Sequence, residues 1–311
     1  MSDQADGLRQ LVRARTGPNG SASATAEWPR PGSGRMAGPR ARSIVLTSGK
    51  GGVGTSNLAL NLAIALGGQG ERVVLVDADL GLANIDLLCG LAPPSDLGDV
   101  LAGGRPLAEA VVAGPAGIRI IPGAHGSRTL VEALGDAPGR LLEGLAGLEE
   151  EADFLIVDAG SGLGPAIATL AAAADEVAVV TTPEPTSVAD AHAAIRRLQR
   201  LAGSPALGAV VSQARSAAEA VEVLGRLSAS SRQFFGAVVE GLGFVRSDPH
   251  VPLAVRSRQP YATAYPASAA SRDVRRLARA LALRDTRPPR PGRPGFFAAL
   301  AARWAWNRVG R

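Results

Sequence analysis

The octapeptide Gly49-Lys50-Gly51-Gly52-Val53-Gly54-Thr55-Ser56 lies between an apolar run at 44–47 and a helix-forming run at 58–65. Four glycines at that junction let backbone approach a ligand closely. The helix that follows points its first N–H groups and the positive end of its dipole at the same space, which suits phosphate. An apolar strand feeding a glycine turn and a helix also sets the fold class, because such units build parallel sheets covered by helices.

The rest of the chain repeats the alternation. Buried-type runs at 73–76, 118–121, 154–157, 177–181 and 209–211 predict strands, with helices between them that are clearest near 186–201 and 270–283. The expected core is one α/β domain over 43–283, a doubly wound, mostly parallel sheet with helices on both faces. Outside it, 17–42 reads as a flexible linker rich in Gly, Pro, Ser and Ala. Residues 1–16 form a short arm whose Ala5, Leu8 and Val12 fall on one helical face. The Pro/Arg stretch 284–295 is a second linker that no helix can cross. An amphipathic tail, 296–311, places Phe296, Phe297, Leu300 and Trp304 on one side.

Charge and cysteine usage narrow the function classes. Residues 1–42 hold seven arginines against three acids and 284–311 hold seven against one, so the middle of the chain, with 19 basic residues against 24 acids, is acidic. Basic ends suit an anionic surface. A single cysteine, Cys89, excludes an internal disulfide and a thiol-rich metal site, and it reads as a small buried hydrophobe. No apolar run reaches 18 residues, so no spanning segment is expected. His125, His192 and His250 show no ligand spacing and read as surface residues.

Lys50 is the chain's one lysine. An ammonium on a flexible stem is a movable point charge for phosphate, which a planar guanidinium does not replace. A G-x-x-x-x-G-K-[ST] loop carries its lysine directly before the hydroxyl residue; here Thr55 stands before Ser56. Ser56 is placed to ligate Mg²⁺. Asp77, Asp79 and Asp158 end strands at the carboxyl edge of a parallel sheet, where ligands bind. Gly49-x-Gly51-x-x-Gly54, with Asp77 following at the next strand end, also fits a dinucleotide fingerprint. Ser56, Lys50 and the second acidic strand end at Asp158 favour a nucleoside triphosphate over NAD.

With these residues in place, the loop resembles the deviant Walker A motif of the MinD/ParA ATPases, K-G-G-x-G-K-[ST]. The resemblance covers roughly 43–160. It implies that Gly49–Ser56, with Val53 and Thr55 in the loop, bind ATP and Mg²⁺, and that Lys50 reaches a partner's nucleotide across a homodimer. Asp79, in a segment similar to switch I, would position the attacking water, and Asp158 would support the metal with Ser56 and Asp79. Ser212 takes the place of an asparagine that faces adenine in the family. Thr181-Thr182-Pro183-Glu184-Pro185-Thr186, Asp248 and the run from Tyr265 resemble the FlhG (YlxH/FleN) branch, regulators of flagellar number and placement. Asp3-Gln4-Ala5-Asp6-Gly7-Leu8-Arg9 resembles that branch's D-Q-A-x-x-L-R element, which stimulates an FlhF-type GTPase. This implies partner binding by Asp3, Gln4, Ala5, Leu8 and Arg9.

The resemblance further implies a cytoplasmic protein peripheral to the inner membrane, with Phe296, Phe297, Leu300 and Trp304 meeting lipid as an interfacial helix. Flagellar switch components or a flagellar transcription regulator are further partners it allows; nucleic acid is not expected. Thr55 leaves hydrolysis open, so a non-hydrolysing scaffold stands as one alternative and a ParA-like DNA-partitioning ATPase as another. A tail docked on the core is the alternative to lipid binding.

Overall fold

The computed structural model describes residues 40–79, 83–102, 105–123, 139–162, 164–201, 205–284 and 294–309. In chain order, β1 (Arg42–Ser48) leads through the glycine turn into α1 (Thr55–Gly67), then β2 (Val73–Asp77) and the short helices α2 (Ile85–Cys89), α3 (Leu97–Leu101) and α4 (Leu107–Ala110). After β3 (Val112–Ala113) and β4 (Arg119–Ile121) come α5 (Gly139–Glu151), β5 (Phe154–Ser161), α6 (Pro165–Ala173), β6 (Glu176–Thr181) and α7 (Pro185–Leu198). The chain continues with β7 (Ala206–Ala214), α8 (Ala217–Phe235), β8 (Val239–Arg246), α9 (His250–Arg256), α10 (Tyr261–Ala264), α11 (Ala269–Leu283) and α12 (Phe296–Val309).

The strands form one sheet in the order β3-β4-β2-β5-β1-β6-β7-β8, parallel except for the β3–β4 pair. Strands β1 and β2 are buried almost end to end, as expected of Val- and Ile-rich strands covered on both faces. One face packs α3, α5, α6, α7, α8 and α12 around Val45, Leu155 and Val179. The other packs α1, α9, α10 and α11 around Ile44, Leu75 and Ile156. The expected fold class and the six expected strands are present. Two strands were not expected. In β8, Gly241 and Gly243 break the apolar run, yet the strand pairs with β7. It tolerates them as a sheet edge.

The C-terminal tail departs from expectation. Phe296, Phe297, Ala299 and Leu300 are buried in the same core as α5 and α6, with the two phenyl rings edge to face at 5.2 Å. Burial of Phe296, Phe297 and Leu300 contributes roughly 1.5–3 kcal/mol each. The buried Glu149 of α5 accepts the N–H of Phe296 at 2.7 Å and of Phe297 at 3.2 Å, so one carboxylate caps the first turn of α12. A Cβ on Gly295 would fall 2.9 Å from Glu149 Oε2, so a side chain there would displace the capping carboxylate. Phe296, Phe297 and Leu300 therefore do not face outward as a lipid-binding side, and position 283 does not end the packed domain. The side chain of Trp304 and the arm residues Asp3, Gln4, Ala5, Leu8 and Arg9 lie outside the described residues.

Candidate phosphate-binding site

Strand β1 delivers the chain to Gly49 at the carboxyl edge of the sheet. A Cβ on Gly49 would fall 2.2 Å from the Asp190 carbonyl of α7, so only glycine fits. Gly52 (φ 82°) and Gly54 (φ 91°) take left-handed backbone and turn the loop into α1. A Cβ on Gly52 would meet nothing within 4 Å, so the loop faces open space. The first helical bond runs from Leu58 N–H to the Gly54 carbonyl. The N–H groups before it belong to the helix start, where they are available to an anion.

Thr55 is buried and turned away from that space. Its hydroxyl bonds Ser48 Oγ at 3.1 Å, and Ser48 Oγ donates in turn to the Lys50 carbonyl at 2.9 Å. The residue that replaces the loop lysine thus braces the loop from behind, and its side chain offers the phosphates no charge. The Ser56 hydroxyl donates to the Asp158 carboxylate.

Asp158 ends the apolar part of β5 and also accepts the Gly160 N–H at 3.1 Å. Burial is the main force on it. Together with the nearby Asp79 charge, burial outweighs the Ser56 and Gly160 hydrogen bonds and pushes its carboxyl up to about 6. Asp79 lies directly over Gly160, where a Cβ would fall 2.2 Å from Asp79 Oδ2. Ser56, Asp79 and Asp158 are thereby gathered at one edge of the loop. This hard-oxygen donor set suits Mg²⁺, which binds one or two carboxylates alongside phosphate oxygens and water.

Asp77 behaves differently from its neighbours. It pairs in register with Asp158, is fully buried, and accepts the N–H groups of Asn84 at 3.0 Å, Ile85 at 3.1 Å and Asp79 at 3.3 Å. Desolvation, then the Asp158 charge, holds its carboxyl well above the usual carboxylate range. Expected among the nucleotide ligands, it ties Asp79 and the Asn84–Ile85 turn of the switch-like segment to β2.

Lys50 points out of its own loop, with Nζ 3.2 Å from Glu184 Oε2 and 3.4 Å from Thr186 Oγ1 at the start of α7. Glu184 is thus an ion-pair partner of Lys50, a link the sequence did not disclose because 134 residues separate them. Ser212 is buried at the end of β7, its Oγ 3.5 Å from where a Cβ on Gly54 would sit. Gln213 was also missed. It adopts φ 58°, unusual for a side chain other than Gly, Asn or Asp, and its amide donates to the Gly52 carbonyl at 3.3 Å.

Other expectations resolve simply. Burial pushes the Cys89 thiol up to about 12, an unreactive state. Asp86 is buried. His192 is half-buried and bonds the Val188 carbonyl and Ser230. His250 bonds Asp248 at 2.8 Å, while His125 lies outside the described residues. Burial alone would raise Asp248, but the Ala270 and His250 N–H groups outweigh it and hold its carboxyl near 2. Among the described residues no helix is long and apolar enough to cross a membrane.

A glycine turn opening a helix, a hydroxyl at the helix start and strand-end carboxylates on a parallel sheet define a P-loop nucleoside-triphosphate-binding protein. A ParA family model, described as NUBPL iron-transfer P-loop NTPase, matches residues 40–99. The chain is 36% identical over 228 residues to the antiactivator FleN of Pseudomonas aeruginosa, covering 73% of this chain and 81% of FleN. It is 37% identical over 153 residues to the flagellum site-determining protein YlxH of Helicobacter pylori, covering 49% of this chain and 52% of YlxH. The solved cell-division ATPase MinD of Pyrococcus furiosus superposes with a TM-score of 0.62 at 28% identity, over 78% of this chain and 98% of MinD. MinD of Pyrococcus horikoshii, complexed with Mg-ADP, gives 0.62 at 27% identity, over 78% and 96%. The chain belongs to the MinD/ParA-type P-loop ATPase family, in the FlhG (YlxH/FleN) branch.

Proposed function

We propose that this protein is an ATP- and Mg²⁺-binding regulator of flagellar number and placement that dimerises across the nucleotide. The observation that carries the reading is the gathering of Ser56, Asp79 and Asp158 beside an open glycine turn, with Lys50 held outside its own loop. Gly51 to Ser56 bind the phosphates through backbone N–H groups, and Ser56 and Asp158 hold the metal. Bound Mg²⁺ supplies charge neutralisation at the phosphates. Asp79 orients water. Lys50, freed from Glu184, serves the nucleotide of a second copy, because Thr55 provides no ammonium within the chain. The N-terminal arm, through Asp3, Gln4, Ala5, Leu8 and Arg9, stimulates an FlhF-type GTPase.

Two settings are proposed for α12. Buried against α5 and α6, its apolar residues are withheld from lipid; undocked, Phe296, Phe297 and Leu300 with Trp304 bind the inner membrane face weakly, and dimerisation adds avidity. A scaffold that binds nucleotide without turnover remains the second reading, favoured by the inward-turned Thr55 hydroxyl. ATP hydrolysis with and without anionic vesicles separates the two. Turnover well above an Asp79→Ala control supports the enzyme, and ATP binding without turnover supports the scaffold. Replacing Leu8 and Arg9 should abolish stimulation of the GTPase; an unchanged rate would refute the role of the arm.

A further inference from the structure

Gln213 is out of step with its own strand. Ser212 of β7 pairs with Val245 and Ala214 pairs with Arg246, two consecutive residues of β8, so Gln213 is the extra residue of a β-bulge. Its φ of 58° is left-handed, a value that a bulge ordinarily gives to glycine. A longer side chain in that backbone is strained, and such residues persist where their surroundings fix them, often at functional sites. Bulges also re-aim a side chain. This one brings the exposed Gln213 to the glycine turn. Its Nε2 donates to the Gly52 carbonyl at 3.3 Å and lies 3.9 Å from where a Cβ on Gly54 would sit.

That bond acts through one peptide unit. In a planar trans peptide the C=O of one residue and the N–H of the next point in opposite directions. Holding the Gly52 carbonyl toward Gln213 therefore turns the Val53 N–H away from it. Ser48 does the same from β1, since its hydroxyl donates to the Lys50 carbonyl at 2.9 Å and so sets the Gly51 N–H. Alternate carbonyls of the turn are thus tied back, at 50 and at 52. Among the described residues neither the Gly51 nor the Val53 N–H has a hydrogen-bond partner. Convergent backbone N–H groups of this kind form an anion-binding concavity. The Thr55 side chain, bonded to Ser48, adds no charge there, so the aim of these amides counts for more. Donors aligned in advance cost no reorganisation when the anion arrives.

We propose that Gln213 is a positioning residue for phosphate binding, which aims the Val53 N–H at the phosphates by holding the Gly52 carbonyl away from them. The proposal rests on the reading of the glycine turn as the Mg-ATP site. Gln213→Met keeps the side chain's length and the backbone strain but has no donor. The test is calorimetric titration of the full-length wild type and variant with Mg-ATP and with Mg-tripolyphosphate, which carries no base. Both ligands should bind Gln213→Met about fivefold more weakly, the worth of one neutral hydrogen bond. Gln213→Gly removes the donor and relieves the backbone, so it should lose the same factor without melting at a lower temperature. In a valine-labelled chain the Val53 amide proton should shift on adding tripolyphosphate, and shift much less in Gln213→Met. Wild-type affinity in both variants overturns the proposal, as does a Val53 shift that the substitution leaves unchanged. A loss confined to ATP makes Gln213 a contact to the base and overturns it as well. A wild-type chain that binds neither ligand overturns the reading of the turn itself, and the role of Gln213 with it.

Discussion

Glu149→Gln is the sharpest probe of how the C-terminal helix is held. The wild-type carboxylate spends one oxygen on each of the first two N–H groups of α12. A carboxamide keeps one acceptor and turns an NH₂ group toward the other N–H. Losing one hydrogen bond to a charged group costs about 1.5–3 kcal/mol, and losing the anion from the helix start costs roughly another 0.3–1 kcal/mol. Part of this is offset, because burial disfavours the Glu149 anion and raises its pKa. The net weakening of docking is about 2 kcal/mol, or roughly thirtyfold in the undocked population. Hydrogen exchange reads this directly. Amides of 296–303 should exchange about thirtyfold faster, while those of β1 and β5 keep their protection. An Arg40→Gln control tests the guanidinium 3.6 Å from Glu149. Uniformly faster exchange across the sheet, or unchanged exchange in α12, would refute a local latch.

Three further outcomes follow from the site. The Asp158 carboxyl, raised from 3.8 to about 6, makes the folded state hold a proton that the unfolded chain releases, so stability without metal should fall as pH rises across that window. Asp158→Asn removes up to ~3 kcal/mol of this penalty and should raise the melting temperature while weakening Mg²⁺-dependent nucleotide binding; a lowered melting temperature would contradict this. Gly160→Ala drives a methyl into Asp79 at a φ of 68°, costing roughly 1–3 kcal/mol. Once it is present, a second change, Asp79→Ala, should have little added effect on nucleotide binding, and full additivity in the double-mutant cycle would sink the idea. Lys50→Ala breaks an exposed ion pair with Glu184 and an exposed hydrogen bond to Thr186, so stability should move by no more than about 0.5 kcal/mol. ATP-induced self-association, followed by light scattering, should nevertheless be lost, and a variant that dimerises like the wild type would exclude the assigned role of Lys50.

Local pattern carried much of the reading. The glycine turn, the Val- and Ile-rich strands and the acids at 77, 79 and 158 all lie in continuous segments whose chemistry is decided by near neighbours. What escaped depends on distant partners. Nothing near Glu184 announces that Lys50 will reach it. Glu149 looks like one of three consecutive surface acids until α12 arrives to use it. Phe296, Phe297 and Leu300 form the same apolar stripe whether they meet lipid or a groove between α5 and α6, and periodicity cannot choose between them. The bonds of Asp77 to the Asp79, Asn84 and Ile85 N–H groups were not foreseen, because a strand-end acid is equally suited to a ligand or to the loop that follows.

The central claim is that the glycine turn, Ser56 and Asp158 hold Mg-ATP without a lysine at position 55, and that the missing charge comes from Lys50 of a second copy. Calorimetric titration of Mg-ATP into the wild-type chain and Lys50→Ala, each at a low and a high chain concentration, tests it most directly. The account predicts saturable binding, one nucleotide per chain, that tightens with wild-type concentration and loses this dependence in Lys50→Ala. No saturable binding, or an affinity indifferent to both chain concentration and Lys50, would contradict it.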